Sequence, residues 1–120
     1  MTINGEVMAE SDTYAALGAE WKTPLWLVSG DDMLQRWIAR YYPFAGYACV
    51  KRAISQNAAE SLSPAQAQAV IRQAAERAVR EGGGTLASRI APPYRLEVMV
   101  ARPALADLFA WCPASAVAMR

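Results

Sequence analysis

The sequence predicts a mixed α/β fold, with a sheet flanked by helices in a three-layer-like arrangement, and three observations carry that expectation. Residues 26–55 read as strand, acidic turn, helix and second strand, the order of a βαβ unit. Ser63-Pro64-Ala65-Gln66 is a capping box with proline at the first helical position, and it opens a long amphipathic run. Beyond Pro92-Pro93 the chain alternates apolar Tyr94, Leu96, Val98 and Val100 with Arg95 and Glu97, the period of a strand with one covered face.

The elements follow in order. Asn4-Gly5 between Ile3 and Val7 signals a tight hairpin, because both central positions favour positive φ. Ser11 or Asp12 can cap a helix that runs towards Trp21 and stops before Pro24. The segment LWLVS is apolar at almost every position, as a strand buried on both faces would be. Gly30 turns the backbone into Asp31-Asp32, where carboxylates accept from the orphan N–H groups of a helix start and complement its dipole. That helix carries Leu34, Trp37, Ile38 and Tyr41 at helical spacing and ends before Pro43.

A second strand spans residues 46–55, broken in polarity by Lys51-Arg52. In the following helix Ala67, Val70, Ile71, Ala74, Ala78 and Val79 form the apolar stripe, while Arg72, Glu76 and Arg80 stand four apart on a solvated face. Gly82-Gly83-Gly84 reads as a helix stop and linker, since no phosphate-loop pattern accompanies it. After the alternating strand, Pro103 starts a short helix with Leu105, Leu108 and Phe109 on its buried side, which Cys112-Pro113 breaks.

Composition removes several classes of function. Twelve basic against eleven acidic residues leave a net charge of +1, too weak a field to indicate nucleic acid or an anionic membrane as partner. The longest apolar run falls far short of the ~20 residues that cross a bilayer, and the N-terminus lacks a signal-peptide pattern, so the cytoplasm is the default compartment. Cys49 and Cys112 lack the CxxC spacing of a redox or zinc site and read as free thiols. No histidine occurs among the 120 residues, which rules out chemistry that depends on an imidazole base, and no G-x-S-x-G elbow is present.

Four groups of residues together resemble one family. They are the spacing from Glu10 through Pro24 to Ser29-Gly30-Asp31-Asp32, the segment Val50-Lys51-Arg52-Ala53-Ile54-Ser55, the segment Ala58-Ala59-Glu60-Ser61-Leu62-Ser63-Pro64, and the strand and helix over 94–113. The pattern is similar to the zinc-dependent D-aminopeptidases of the bacterial dipeptide-transport type, and it resembles their C-terminal portion over residues 1–113, leaving 114–120 as a tail. The resemblance implies an incomplete part of a larger α/β domain, cut at both ends, whose neighbours would cover the apolar faces it leaves open.

It also implies a two-zinc hydrolase that removes N-terminal residues from short peptides and assembles into a homo-oligomer, or here with a complementary N-terminal half. In that family most metal ligands lie in an Asp-x-Glu-Gly motif and at two histidines, none of which this chain contains. Glu10 is the one ligand that carries over, although Ala9 stands where the family has glycine and Tyr14 occupies a later position of the motif. Asp31 and Asp32 are either helix caps or substrate-positioning groups at the carboxyl end of a strand, and Lys51 is either a surface charge or an anchor for a substrate carboxylate. A carboxylate-only site for magnesium or manganese from Glu10, Asp12, Asp31 and Asp32 is a third arrangement the residue types permit. The expected outcomes are therefore an enzyme segment inactive by itself for want of ligands, or a non-catalytic self-association module.

Overall fold

The structure, a computed structural model, describes residues 1–82 and 84–111, and its strands and helices confirm a mixed α/β fold. The elements are β1 (Thr2–Ile3), β2 (Glu6–Val7), α1 (Glu10–Glu20), β3 (Leu27–Asp31), α2 (Asp32–Tyr41), β4 (Gly46–Ser55), β5 (Ala58–Ser61), α3 (Pro64–Glu81), β6 (Leu96–Glu97) and α4 (Pro103–Ala110). They fall into two compact units, Ala9–Ala91 and a second made of Met1–Met8 with the chain from Pro92 onward. No helix of the described residues is long and apolar enough to cross a membrane.

The Ala9–Ala91 unit is built on a three-stranded sheet of order β3-β4-β5. β3 and β4 are parallel and joined through α2, as the strand-helix-strand pattern requires, while β4 and β5 are antiparallel. Proline at the first helical position and the Ser63 hydroxyl, which accepts from the Gln66 N–H at 3.4 Å, start α3; Gly82 in the left-handed conformation ends it. The core gathers Ala15 of α1 with Ile38 and Tyr42, and Leu25, Val28, Leu34, Trp37, Phe44 and Tyr47 pack around them.

Several local expectations need correction. β3 is only half-buried at Leu27 and Val28 and exposed at Ser29, because it is an edge strand that pairs on one side with β4. β5 escaped the sequence reading altogether. Its residues Ala-Ala-Glu-Ser have low strand propensity and are all exposed, so pairing with β4 alone makes it a strand. Of the stripe on α3, Ala74 and Ala78 are buried but Val79 is exposed. The cap of α1 is Ala9 rather than Ser11 or Asp12, for a reason that lies in the candidate site below.

The second unit holds the sheet β2-β1-β6, antiparallel throughout. Its hairpin turns at Asn4 and Gly5, both with positive φ (54° and 83°), as the Asn-Gly pair predicts. The Asn4 side chain completes the attachment to β6, accepting from the Arg95 N–H at 2.8 Å and donating to the Pro93 carbonyl at 3.1 Å. The strand expected over 94–101 shortens to Leu96–Glu97, and the α4 residues expected to be buried, Leu105, Leu108 and Phe109, are exposed. The helix break expected at Cys112-Pro113, the tail and Gly83 lie outside the described residues.

Candidate functional site

Two groups of polar residues stand out in the Ala9–Ala91 unit. The first lies at the carboxyl end of β3, where α/β sheets commonly place ligands. There the register with β4 shifts between Gly30 and Asp31, so that Gly30 faces Cys49 but Asp31 faces Lys51. This bulge turns the ladder just before the helix begins.

Asp31 caps α2, its Oδ1 accepting from the Leu34 N–H at 2.8 Å, while its backbone carbonyl accepts from the Tyr47 hydroxyl at 2.7 Å. Asp32 Oδ1 accepts from the Ala53 N–H at 2.8 Å, and its Oδ2 faces Arg36 at 3.6 Å. Both aspartates thus fasten the start of α2 to its neighbours through one oxygen each. Lys51 is exposed on β4 and forms no ion pair among the described residues. Strand register brings Asp31 and Lys51 side by side, and Asp32 follows on the next residue, so three of the residues singled out from the sequence share this edge.

Gly30 makes this edge possible. A Cβ built on it would stand 2.8 Å from the Tyr47 hydroxyl and 2.8 Å from Leu34 Cδ2. Gly30→Ala is therefore expected to push Tyr47 off the Asp31 carbonyl and lower stability by about 1–3 kcal/mol, the usual range for overpacking, as urea unfolding would measure. A loss below measurement error would show that the edge yields freely.

The second group centres on Asp12, whose role the sequence did not reveal. Asp12 is completely buried at the third position of α1. Its Oδ2 accepts from the Ala9 N–H at 2.6 Å and from Trp37 Nε1 at 2.8 Å, and its Oδ1 accepts from the Tyr42 hydroxyl at 2.6 Å and from Arg89 Nη1 at 3.4 Å. By reaching back to Ala9 the side chain satisfies the residue before the helix, which is why Asp12 does not itself serve as the cap. Four donors from three parts of the chain, the start of α1, the α2 helix with its cap, and Arg89, compensate the desolvation of this carboxylate.

Arg89 also lies over the Tyr41 ring at 3.7 Å and near the Trp37 ring at 5.3 Å from its centroid. Nothing in local sequence pattern could have found this cluster, since Trp37, Tyr42 and Arg89 come from 25, 30 and 77 residues away. Burial, with the hydrogen bond to Asp12 next, pushes the Tyr42 phenol above its ordinary value of 10.0. Burial raises Tyr47 likewise, helped by the nearby Asp31 charge.

A raised pKa means that the folded state holds these protons more tightly than the unfolded chain. The stability they contribute is therefore fully present below pH 10.0, the unfolded value, and is lost as pH climbs through the higher folded values. Urea unfolding at pH 8 and pH 11 should show the fall (pH values of about these magnitudes bracket the tyrosine range), and Tyr42→Phe should make it shallower. An alkaline slope identical in Tyr42→Phe would count against the assignment.

Glu10, the carried-over ligand, is exposed at the first residue of α1. No group of three or more His, Cys, Asp or Glu side chains capable of holding a metal occurs among the described residues, and the chain has no imidazole. Asp12 is engaged by four donors, and Asp31 and Asp32 each commit an oxygen to a backbone N–H. This donor set does not fit a pair of zinc ions, which bind through nitrogen, thiolate and carboxylate ligands converging within about 2.0–2.3 Å.

Comparison with known proteins places the chain. Its fold is similar to a solved structure, the Zn-dependent D-aminopeptidase DppA from Bacillus subtilis, described as a self-compartmentalizing protease, with a TM-score of 0.65 and 24% sequence identity. The likeness covers 72% of this chain and 32% of the other, so the chain spans about a third of the length of that relative. No curated protein gives a significant match. The profile of the D-aminopeptidase family matches residues 1–118, nearly the whole sequence, and the chain therefore belongs to the D-aminopeptidase family.

Proposed function

We propose that the chain is a segment of a zinc-dependent D-aminopeptidase, corresponding to the C-terminal portion, that contributes to removing N-terminal residues from short peptides but does not catalyse the reaction unaided. The observation that carries this reading is a family match over residues 1–118 in a polypeptide devoid of histidine. Glu10 is the residue it would lend to the metal centre. Asp31, Asp32 and Lys51, adjacent at the end of β3, would position the peptide, with Lys51 facing a substrate carboxylate.

The remaining donors would come from outside these 120 residues, on a stretch of family polypeptide that carries the Asp-x-Glu-Gly motif and the two histidines. Mixing this chain with such a family polypeptide tests the reading. Chelator-sensitive cleavage of a dipeptide with an N-terminal D-residue should appear only in the mixture, and Glu10→Gln should abolish it. Equal activity of the added polypeptide with and without this chain would contradict the role.

A second reading, a non-catalytic self-association module, is favoured by the apolar side chains exposed in the unit that contains α4. Met99 is 96% exposed, Trp111 86% and Leu108 67%, and apolar surface of this extent commonly marks an interaction site. Light scattering should then report an oligomer. A well-folded monomer would count against this reading.

A further inference from the structure

We propose that the free edge of β3 at Leu27 and Ser29 is a strand-pairing site, filled by an extended strand of family polypeptide from outside these 120 residues. β3 lies at one end of its sheet, and its ladder with β4 starts where the Gly46 N–H donates to the Trp26 carbonyl at 2.9 Å. In an extended strand the N–H and C=O of one residue point to the same side, and those of the next residue to the other. Trp26, Val28 and Gly30 therefore turn their backbone groups towards β4, while Leu25, Leu27 and Ser29 turn theirs outward. At Leu25 the outward side is already used, its N–H donating to the Thr85 carbonyl at 3.1 Å, so this edge accepts a partner. Beyond that point the N–H and C=O of Leu27 and of Ser29 meet no backbone partner among the described residues.

The composition of β3 is that of an interior strand. Leu25-Trp26-Leu27-Val28 is apolar without alternation, the pattern of a strand with neighbours on both sides and cover on both faces, yet Leu27 and Val28 are only half-buried. Residues 27–30 include no charge and no proline, and the register shift comes only after Gly30, so the usual devices that blunt an exposed edge are missing from this stretch. The opposite edge of the same sheet differs. β5 is four residues long, exposed throughout and poor in strand formers, and its Glu60 faces Arg52 of β4 at 3.7 Å. That edge is blunted in the ordinary way, and the edge of β3 is left ready for a neighbour.

What the edge offers is a row of main-chain donors and acceptors, which an extended backbone matches and a side chain does not. The source of that backbone follows from size. The likeness to the solved D-aminopeptidase covers 72% of this chain but only 32% of the other, so most of a family polypeptide remains to supply the neighbour. A strand laid on Leu27 and Ser29 runs beside the end of β3 that carries Asp31 and Asp32, with Lys51 alongside. The inference rests on the proposed function, in which donors from outside these residues complete the reaction centre, and it states along which edge they are brought in.

The test is hydrogen exchange on the full chain, alone and mixed with the family polypeptide that bears the Asp-x-Glu-Gly motif. In the mixture the amides of Leu27 and Ser29 should slow by about ten-fold or more, and by more than those of Val28 and Gly30, which already face β4. Ser29→Pro removes one outward donor and spares the ladder to β4. The variant alone should therefore keep its urea midpoint, while its affinity for the polypeptide falls by about ten-fold or more. Should Ser29→Pro not fold, the exchange pattern of the unaltered chain decides. Association that leaves Leu27 and Ser29 exchanging as before would overturn the pairing and leave the proposed function standing, whereas no association at all would overturn both. Protection without chelator-sensitive cleavage would support the pairing and count against the function. Slowing of the same two amides in the chain alone as its concentration rises would assign the edge to a second copy and overturn the choice of partner.

Discussion

Replacing Asp12 with alanine is expected to lower the stability of the Ala9–Ala91 unit by about 3–5 kcal/mol, the usual consequence of removing one member of a buried ion pair. The loss has identifiable parts. Trp37 Nε1 and the Tyr42 hydroxyl lose their acceptor, each stranded donor costing about 1–3 kcal/mol where water does not reach it. Arg89 loses the carboxylate it faces, and the Ala9 N–H before α1 loses its partner. These parts do not add, because residues sharing one network relax together.

Against a total of about 5–15 kcal/mol for an ordinary domain, such a loss shifts the urea midpoint far enough for tryptophan fluorescence to follow easily. Asp12→Asn should fall between the two. It keeps one acceptor oxygen but turns an amide N–H₂ towards donors on the other side, and it removes the charge that Arg89 faces. A change below about 1 kcal/mol in Asp12→Ala would mean that the cluster is an ornament of the fold, since removing surface groups commonly costs no more than that.

How much of this was legible in the sequence depends on the range over which each signal acts. The start of α3 was readable because Ser63, Pro64 and Gln66 act within one turn of each other. The α2 helix was readable from Asp31, its apolar spacing and Pro43, and β4 has the bounds its composition suggests. The hairpin at Asn4-Gly5 was encoded in two residues.

What stayed hidden was set by neighbours distant in sequence. β5 exists because β4 offers it a partner, and the half-burial of β3 follows from its place at a sheet edge. Leu105, Leu108 and Phe109 have the pattern of a covered helix face, yet they are exposed among the described residues, because a pattern states that a face is apolar and not what covers it. The candidate site divides in the same way. Adjacency of Asp31 and Asp32 is written in the chain, and Lys51 joins them through the parallel register, whereas the convergence of Trp37, Tyr42 and Arg89 on Asp12 needed the structure.

The second large effect concerns catalysis. The similar protein DppA is Zn-dependent, whereas this chain has no imidazole, and among the described residues no three potential ligands converge. A carboxylate alone binds zinc weakly compared with the three or four ligands of a protein site, so added zinc should be lost on desalting and should not protect the fold. Thermal unfolding should accordingly be the same in zinc and in chelator, for a ligand raises stability only when it binds the native state more tightly than the unfolded one.

Hydrolysis by the purified chain is the most direct measurement. Incubated alone with zinc and a dipeptide bearing an N-terminal D-residue, it should release product no faster than buffer with zinc, and should retain no stoichiometric metal by mass spectrometry. Chelator-sensitive turnover by the isolated chain, accompanied by tightly held zinc, would contradict the claim that its reaction centre requires donors from outside these 120 residues.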